Sequence, residues 1–154
     1  MKTRQAVLAD ASEISALLEQ LVSVGKRNLP SDPEFVRCNY IAHADNIQCT
    51  VAVDSDGSIL GLQILKIASE GDIYGVDIGW GIIGTHVRPD AARRGVGKAL
   101  FKATHKAAID AGIQKIDATI GASNPSGLSY YDAMGFNTYR MTSSKISKCF
   151  DVRV

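Results

Sequence analysis

Between residues 48 and 87 three β-type runs follow one another with no helical pattern between them, which restricts the chain to folds built on an antiparallel meander. Residues 48–53 and 58–68 flank Asp54-Ser55-Asp56-Gly57, and an Asp-Gly step between apolar runs marks a hairpin. The third run, residues 76–87, is rich in Ile and Gly. It stops before Pro89, which has no N–H for a ladder and fixes the chain for a turn.

Helical periods lie on either side of the meander. After an alternating stretch at residues 3–8, Asp10 with Glu13 reads as a capping box. Ile14, Leu17, Leu18, Leu21 and Val22 then form the buried stripe of a helix running to about Gly25. Ser31 and Glu34 around Pro33 predict a second helix over residues 33–44. Over residues 97–111, Ala99, Leu100, Ala103 and Ala107 share a face, Lys98, Lys102, Lys106 and Asp110 lie largely away from it, and Gly112 ends the helix. A strand at 115–120, a helix at 126–134 closed by Gly135, and strands at 136–141 and 145–152 complete the order β-α-α-β-β-β-α-β-α-β-β. This is an α/β chain, a mixed sheet with helices on both faces. With 154 residues and no repeat or linker, a single domain over 1–154 is expected.

Composition narrows the partners. Lys and Arg number 17 against 16 Asp and Glu, so a formal charge of +1 gives no general attraction to nucleic acid or an anionic membrane. Any positive charge that matters must be local. The first residues lack the apolar segment of a signal peptide and no run reaches the roughly 18 apolar residues of a membrane span, so a cytoplasmic location is expected. Cys38, Cys49 and Cys149 show neither a CxxC pair nor metal-ligand spacing. They read as buried thiols, with a Cys nucleophile meeting His43, His86 or His105 in the fold left open.

The stretch with most chemical content runs from His86 through Val87 and Arg88-Pro89-Asp90-Ala91-Ala92-Arg93-Arg94-Gly95-Val96-Gly97-Lys98-Ala99 to Leu100. A strand ends, a turn follows, and a helix begins beside two glycines. Such a start offers unpaired N–H groups and the positive end of the helix dipole, an anion site suited to phosphate. Gly95 and Gly97 remove Cβ atoms where backbone would approach a ligand, and Arg93, Arg94 and Lys98 add charge. The same residues also suit an ordinary helix start with a solvated basic turn. A Walker loop is excluded because Ala99 follows Gly97-Lys98 and Ala92 occupies the first glycine position. The dinucleotide fingerprint GxGxxG fails at Leu100.

Val87-x-Pro89 followed by Arg93-Arg94-Gly95-Val96-Gly97-Lys98-Ala99-Leu100 resembles the acyl-CoA loop, Q/R-x-x-G-x-G/A, of the GCN5-related N-acetyltransferase (GNAT) family, with Ala92 departing from the Gln/Arg position. A second block, from Asn124 through Gly127 and Tyr131 to Gly135-Phe136, is similar to that family's N-x-x-A-x-x-x-Y-x-x-x-G-F segment, with Gly127 in place of Ala. The resemblance implies the acyl-CoA N-acyltransferase fold, with a mostly antiparallel central sheet, and acetyl-CoA as acyl donor. It implies that the N–H groups from Arg93 through Ala99, next to Ala92, hold the pyrophosphate. His86 and Val87 would meet the pantetheine arm by backbone groups, where their strand splays from residues 115–120. Asn124 would contact the cosubstrate from the other side, and Tyr131 would place its phenol near the thioester sulfur as catalytic acid.

The implied acceptor is a small-molecule primary amine. A protein or peptide N-acetyltransferase and a non-catalytic acyl-CoA sensor stay open as alternatives, as does a homodimer formed through residues 136–152. Some relatives carry a carboxylate four residues before the position of Val87, where this chain has Ile83. Glu70, Asp72, Asp77, His86 or a water chain are therefore the candidates for a base. The first two helices and residues 70–80 are expected to wall the acceptor pocket, with Tyr74 and Trp80 as an apolar or cation–π surface.

Overall fold

A computed structural model describes residues 1–153. Its strands are β1 (Lys2–Gln5), β2 (Asn46–Val53), β3 (Ile59–Ile67), β4 (Gly81–Val87), β5 (Lys115–Gly121), β6 (Asn137–Met141) and β7 (Lys145–Asp151). The helices are α1 (Ala11–Ser23), α2 (Pro33–Val36), α3 (Val96–Asp110) and α4 (Pro125–Met134), in the order expected from sequence. One sheet contains all seven strands in the order β1-β2-β3-β4-β5-β7-β6. Every neighbouring pair is antiparallel except β4 with β5.

Helices cover both faces. The apolar stripe of α1, Ile14, Leu17, Leu18 and Leu21, packs on Val51, Leu62 and Ile64. On the other face Val96 and Leu100 of α3 cover Ala52 and Leu60, while Phe101 of α3 and Tyr131 of α4 join Leu65, Ile83, Ile116, Ala118 and Ile120. β3 is buried from Ile59 to Leu65, as a central strand sandwiched by helices must be. Burial of each such Leu or Ile stabilises the fold by roughly 1.5–3 kcal/mol. Val22, assigned to the α1 stripe from its spacing, is exposed, while the neighbouring Leu21 is buried.

The meander forms as its turn signals require: Asp54 N–H donates to Ser58 O at 2.8 Å, and Gly57 sits at φ +86°. Several local expectations are corrected. Asp10 does not cap α1, because its carboxylate takes the Arg4 guanidinium at 2.8 and 3.0 Å and the Val7 N–H at 2.8 Å. The hydrogen bond from Arg4 holds that carboxyl below the usual range despite its burial. Glu13 instead accepts the Ile59 N–H at 2.6 Å, tying α1 to the head of β3. Asp32, not Ser31, caps α2 by accepting from Phe35 N–H at 3.1 Å, and after Val36 the helix widens into a π-turn that ends at Ile41 rather than 44.

The third run begins its strand only at Gly81. Residues before it fold into turns in which Asp72 accepts the N–H groups of Tyr74 and Val76 at 2.9 and 3.1 Å. Cys38 is exposed, against the expectation of three buried thiols, whereas Cys49 is buried and Cys149 is partly so.

The feature that positions a site is the junction of β4 and β5. They pair only at Gly81↔Ile116 and Ile82↔Asp117. Gly81 permits this close approach, since a Cβ there would lie 3.0 Å from Leu65 Cδ1 and 3.3 Å from Ile116 Cγ1. Beyond it the strands part, and no ladder joins residues 83–87 to residues 118–121.

Candidate active site

The loop after β4 ends against this opening. Arg88 leads into a 3-10 turn at Pro89–Ala91, Arg93 and Gly95 take left-handed conformations at φ +64° and +80°, and α3 begins at Val96. A non-glycine residue held left-handed costs roughly 1–2 kcal/mol, so the loop shape is imposed by its surroundings. Among the described residues the N–H groups of residues 92–98 find no acceptor in the chain. The first that does is Ala99, which donates to Gly95 O at 3.1 Å. Alternating left-handed residues and a 15-residue helix behind them make a concave row of donors with a positive dipole. That row suits a pyrophosphate.

The basic residues divide. Arg94 pairs with Asp54 at 3.2 Å and Arg88 with Asp90 at 2.6 Å, while Arg93 and Lys98 have no ion-pair partner among the described residues. A groove of about 540 Å³ runs between Gly95 at the end of the loop, Lys98 and Lys102 on α3, and Ala133 and Met134 on α4. It adds Lys102, which sequence spacing placed only on a solvated face. The groove does not reach Tyr131.

The two glycines have different reasons. At Gly95 the positive φ demands glycine, and an added Cβ would meet nothing within 4 Å. At Gly97 a Cβ would fall 2.5 Å from Tyr130 Cε1, so a tyrosine ring, in addition to any ligand, excludes a side chain there.

Tyr130 opens a buried polar network. Its hydroxyl donates to Gly97 O at 2.7 Å and accepts from Gln63 Nε2 at 2.9 Å; Gln63 Nε2 also donates to Thr85 Oγ1 at 2.9 Å. Thr85 Oγ1 in turn shares a 2.8 Å hydrogen bond with the Tyr131 hydroxyl. Gln63 and Thr85 are register partners on β3 and β4, so the network ties the first turn of α3 and α4 to the meander. Burial pushes the Tyr130 phenol up to about 12 and raises Tyr131 as well, the bond with Thr85 only partly offsetting it. Tyr131 is therefore a protonated phenol at neutral pH. It packs against Phe136 with its hydroxyl on Thr85, in the segment of β4 that has left β5.

Asn124 caps α4: its Oδ1 accepts from Gly127 N–H and the Ser126 hydroxyl, each at 3.1 Å. Gly127 follows from that cap, because a Cβ would lie 2.7 Å from Asn124 Nδ2. Ile83 is buried among the α3 and α4 contacts, on the same side as Tyr131.

On the opposite face of β4, His86 stacks on Tyr40 with ring centroids 5.5 Å apart. Although part of the residue still meets solvent, the covering of its ring and then the charge of Arg27 push it down to about 3. Glu70 and Asp77 are exposed, and Asp72 serves its turn. Tyr74 and Trp80 lean toward the far strands, through a bond from Arg140 to Tyr74 O and a 5.5 Å ring contact between Trp80 and Tyr139. Among the described residues no histidine hydrogen-bonds a thiol: His43 accepts the Asp45 N–H, His105 sits at 3.2 Å from Val152 O, and burial pushes the Cys49 thiol up to about 12.

One carboxylate escaped sequence reading. Asp117 on β5 is fully buried beside the end of the β4 ladder, accepting from the Tyr139 hydroxyl at 2.5 Å and the Thr119 hydroxyl at 2.9 Å. Burial raises its pKa above the ordinary carboxylate value. The one hint in the sequence was an acid between the apolar Ile116 and Ala118 of an expected strand.

A sheet that parts beside an anion-binding helix start is the architecture of acyl-CoA N-acyltransferases. The chain belongs to the acetyltransferase (GNAT) family, whose pattern matches residues 15–136, and it is an acetyltransferase with acetyl-CoA as acyl donor. No curated protein matches the sequence. Similar solved structures include a GCN5-related N-acetyltransferase from Kribbella flavida, 20% identical with a TM-score of 0.83 over 97% of this chain and 96% of that one. A phosphinothricin acetyltransferase from Sinorhizobium meliloti, in complex with AcCoA, is 20% identical with a TM-score of 0.76, over 97% and 87%. The ribosomal-protein-S18-alanine N-acetyltransferase from Escherichia coli is 15% identical with a TM-score of 0.75, over 99% and 94%.

Proposed function

We propose that this chain, as a single domain working in the cytoplasm, moves the acetyl group of acetyl-CoA to the primary amine of a small metabolite by direct attack. Tyr131 is the acid. The observation that carries this reading is the buried, protonated Tyr131 hydroxyl on Thr85, where β4 has separated from β5. The free N–H groups of residues 92–98 suit the pyrophosphate, and the unpaired edge at residues 83–87, with Val87 and the backbone of His86, suits the amides of the pantetheine arm. Acetyl-CoA supplies a thioester carbonyl open to nucleophilic attack.

The amine nitrogen bonds to that carbonyl carbon and its extra proton passes to water. As the C–S bond breaks, Tyr131 gives its proton to the departing sulfur and is reprotonated through Thr85 and solvent. A phenol held protonated by burial has that proton available across the neutral range. Asn124 supports the site by fixing the start of α4, and with it Tyr131. A small acceptor accords with the phosphinothricin acetyltransferase similar to this chain. β6, with its mostly exposed side chains at the edge of the sheet, is the strand through which a second copy would pair.

The test is thiol release from acetyl-CoA across a panel of amines, beside calorimetry of coenzyme A binding. Release with small amines and micromolar-range binding are expected. Absence of coenzyme A binding overturns the reading, and release with peptide N-termini alone replaces the small acceptor by a protein.

A further inference from the structure

Arg27 is a charged group that the chain itself leaves incomplete. It is 9% exposed, in a stretch whose neighbours from Val22 to Lys26 and from Asn28 to Pro30 are all exposed. Its Nε donates to Ser31 Oγ at 2.9 Å, and its Nη2 donates to Pro30 O at 2.7 Å and to the Tyr40 hydroxyl at 3.0 Å. The rings of Phe35 and Tyr40 lie 5.8 and 5.6 Å from its Cζ. Nη1 is buried and makes no hydrogen bond. No carboxylate pairs with it among the described residues: Glu34 is engaged by Arg37, and Asp32 caps α2.

Neutral oxygens and aromatic faces thus hold the guanidinium still without neutralising it. A buried cation with an idle donor is unfavourable unless something anionic completes it. Its position is informative too. The Tyr40 ring lies against Arg27 and also stacks at 5.5 Å on His86, and His86 precedes Val87 on the freed segment of β4. The charge therefore stands on the α1 and α2 face of the opening, across the sheet from Tyr131.

We propose that Arg27 receives the carboxylate of the acceptor, so that the acetylated amine belongs to an amino acid or another amino carboxylate rather than to a simple amine. The inference rests on the acetyl-transfer reading above. Nη1 donates to one carboxylate oxygen, and a shift of the exposed loop around residues 25–30 admits it. The aromatic rings exclude water from the ion pair.

The experiment compares matched acceptors, each amino acid against its carboxamide, by thiol release from acetyl-CoA. The wild-type chain should favour the acids by about tenfold or more in kcat/KM, the order expected for a hydrogen bond between charged groups. Arg27→Gln should raise KM for the acids by a similar factor while kcat/KM for the amides and KM for acetyl-CoA stay within about twofold, and Arg27→Lys should recover part of the loss. Equal rates for acids and amides in the wild type overturn the proposal, as does a variant that weakens both alike, the result expected if Arg27 only holds its loop. Should Arg27→Gln fail to fold, the wild-type comparison and Tyr40→Phe, which removes one anchor and keeps the charge, decide the question. Release at equal rates with acids and amides sinks this inference alone, whereas no release with any amine and no coenzyme A binding sinks the acetyl-transfer reading.

Discussion

Gly97 and Tyr130 are matched to one another, and the match can be measured. Gly97→Ala places a methyl 2.5 Å from a ring carbon and should destabilise the fold by about 1–3 kcal/mol in thermal or urea melts. The penalty should shrink in a Tyr130→Ala background, and strict additivity would mean the ring moves aside freely. Tyr131→Phe should lower kcat on the order of 10²-fold in thiol release while the dissociation constant of coenzyme A stays within about twofold. Loss of binding with retained turnover would reassign the residue. His86 bears on acid stability. In the folded chain it stays neutral down to about 3, whereas the unfolded chain takes up that proton near the ordinary value of 6.5. Below pH 6.5 the unfolded state binds more protons, so stability is full above that pH and falls as pH drops toward 3. His86→Gln should flatten this slope in urea midpoints taken between pH 7 and 4, and an unchanged slope would refute the assignment.

At the level of elements, what sequence reading found and what it missed have separate physical causes. The α1 stripe, the Asp-Gly hairpin and the glycine stop of α4 at Gly135 depend on neighbours within a few residues, and all three stand in the structure. The first capping box failed because its carboxylates were drawn off, Asp10 by Arg4 from β1 and Glu13 by the Ile59 N–H 46 residues away, and the second because Asp32 caps α2 while Ser31 takes Arg27. Both loop and Tyr131 were legible as motifs, yet Arg27 and Asp117 were not, since each acquires its character only from burial. Asn124→Ala tests a residue that the family resemblance assigned to the cosubstrate and that the structure makes the cap of α4. It should cost about 1 kcal/mol of stability, and an accompanying loss of coenzyme A affinity beyond twofold would mean that the side chain also meets the cosubstrate.

For the molecule as a whole, coenzyme A should bind only the folded chain. At a hundredfold its dissociation constant it should add about 2.7 kcal/mol, raising the melting temperature of a chain this size by roughly 5–10 °C. No shift would contradict a preformed site. The two-pair contact of β4 with β5 also has a mechanical side. Four strands, β1 to β4, form one group and three, β5 to β7, the other, each laced by antiparallel ladders. The sheet is thus two stiff leaves bound along a short spine, fastened again by the helices that bridge them and by the contacts of Tyr74 and Trp80 with Arg140 and Tyr139. Amide protons facing the gap should exchange with solvent sooner than those within either leaf, and a ligand lodged between the leaves would close the book as well as occupy it.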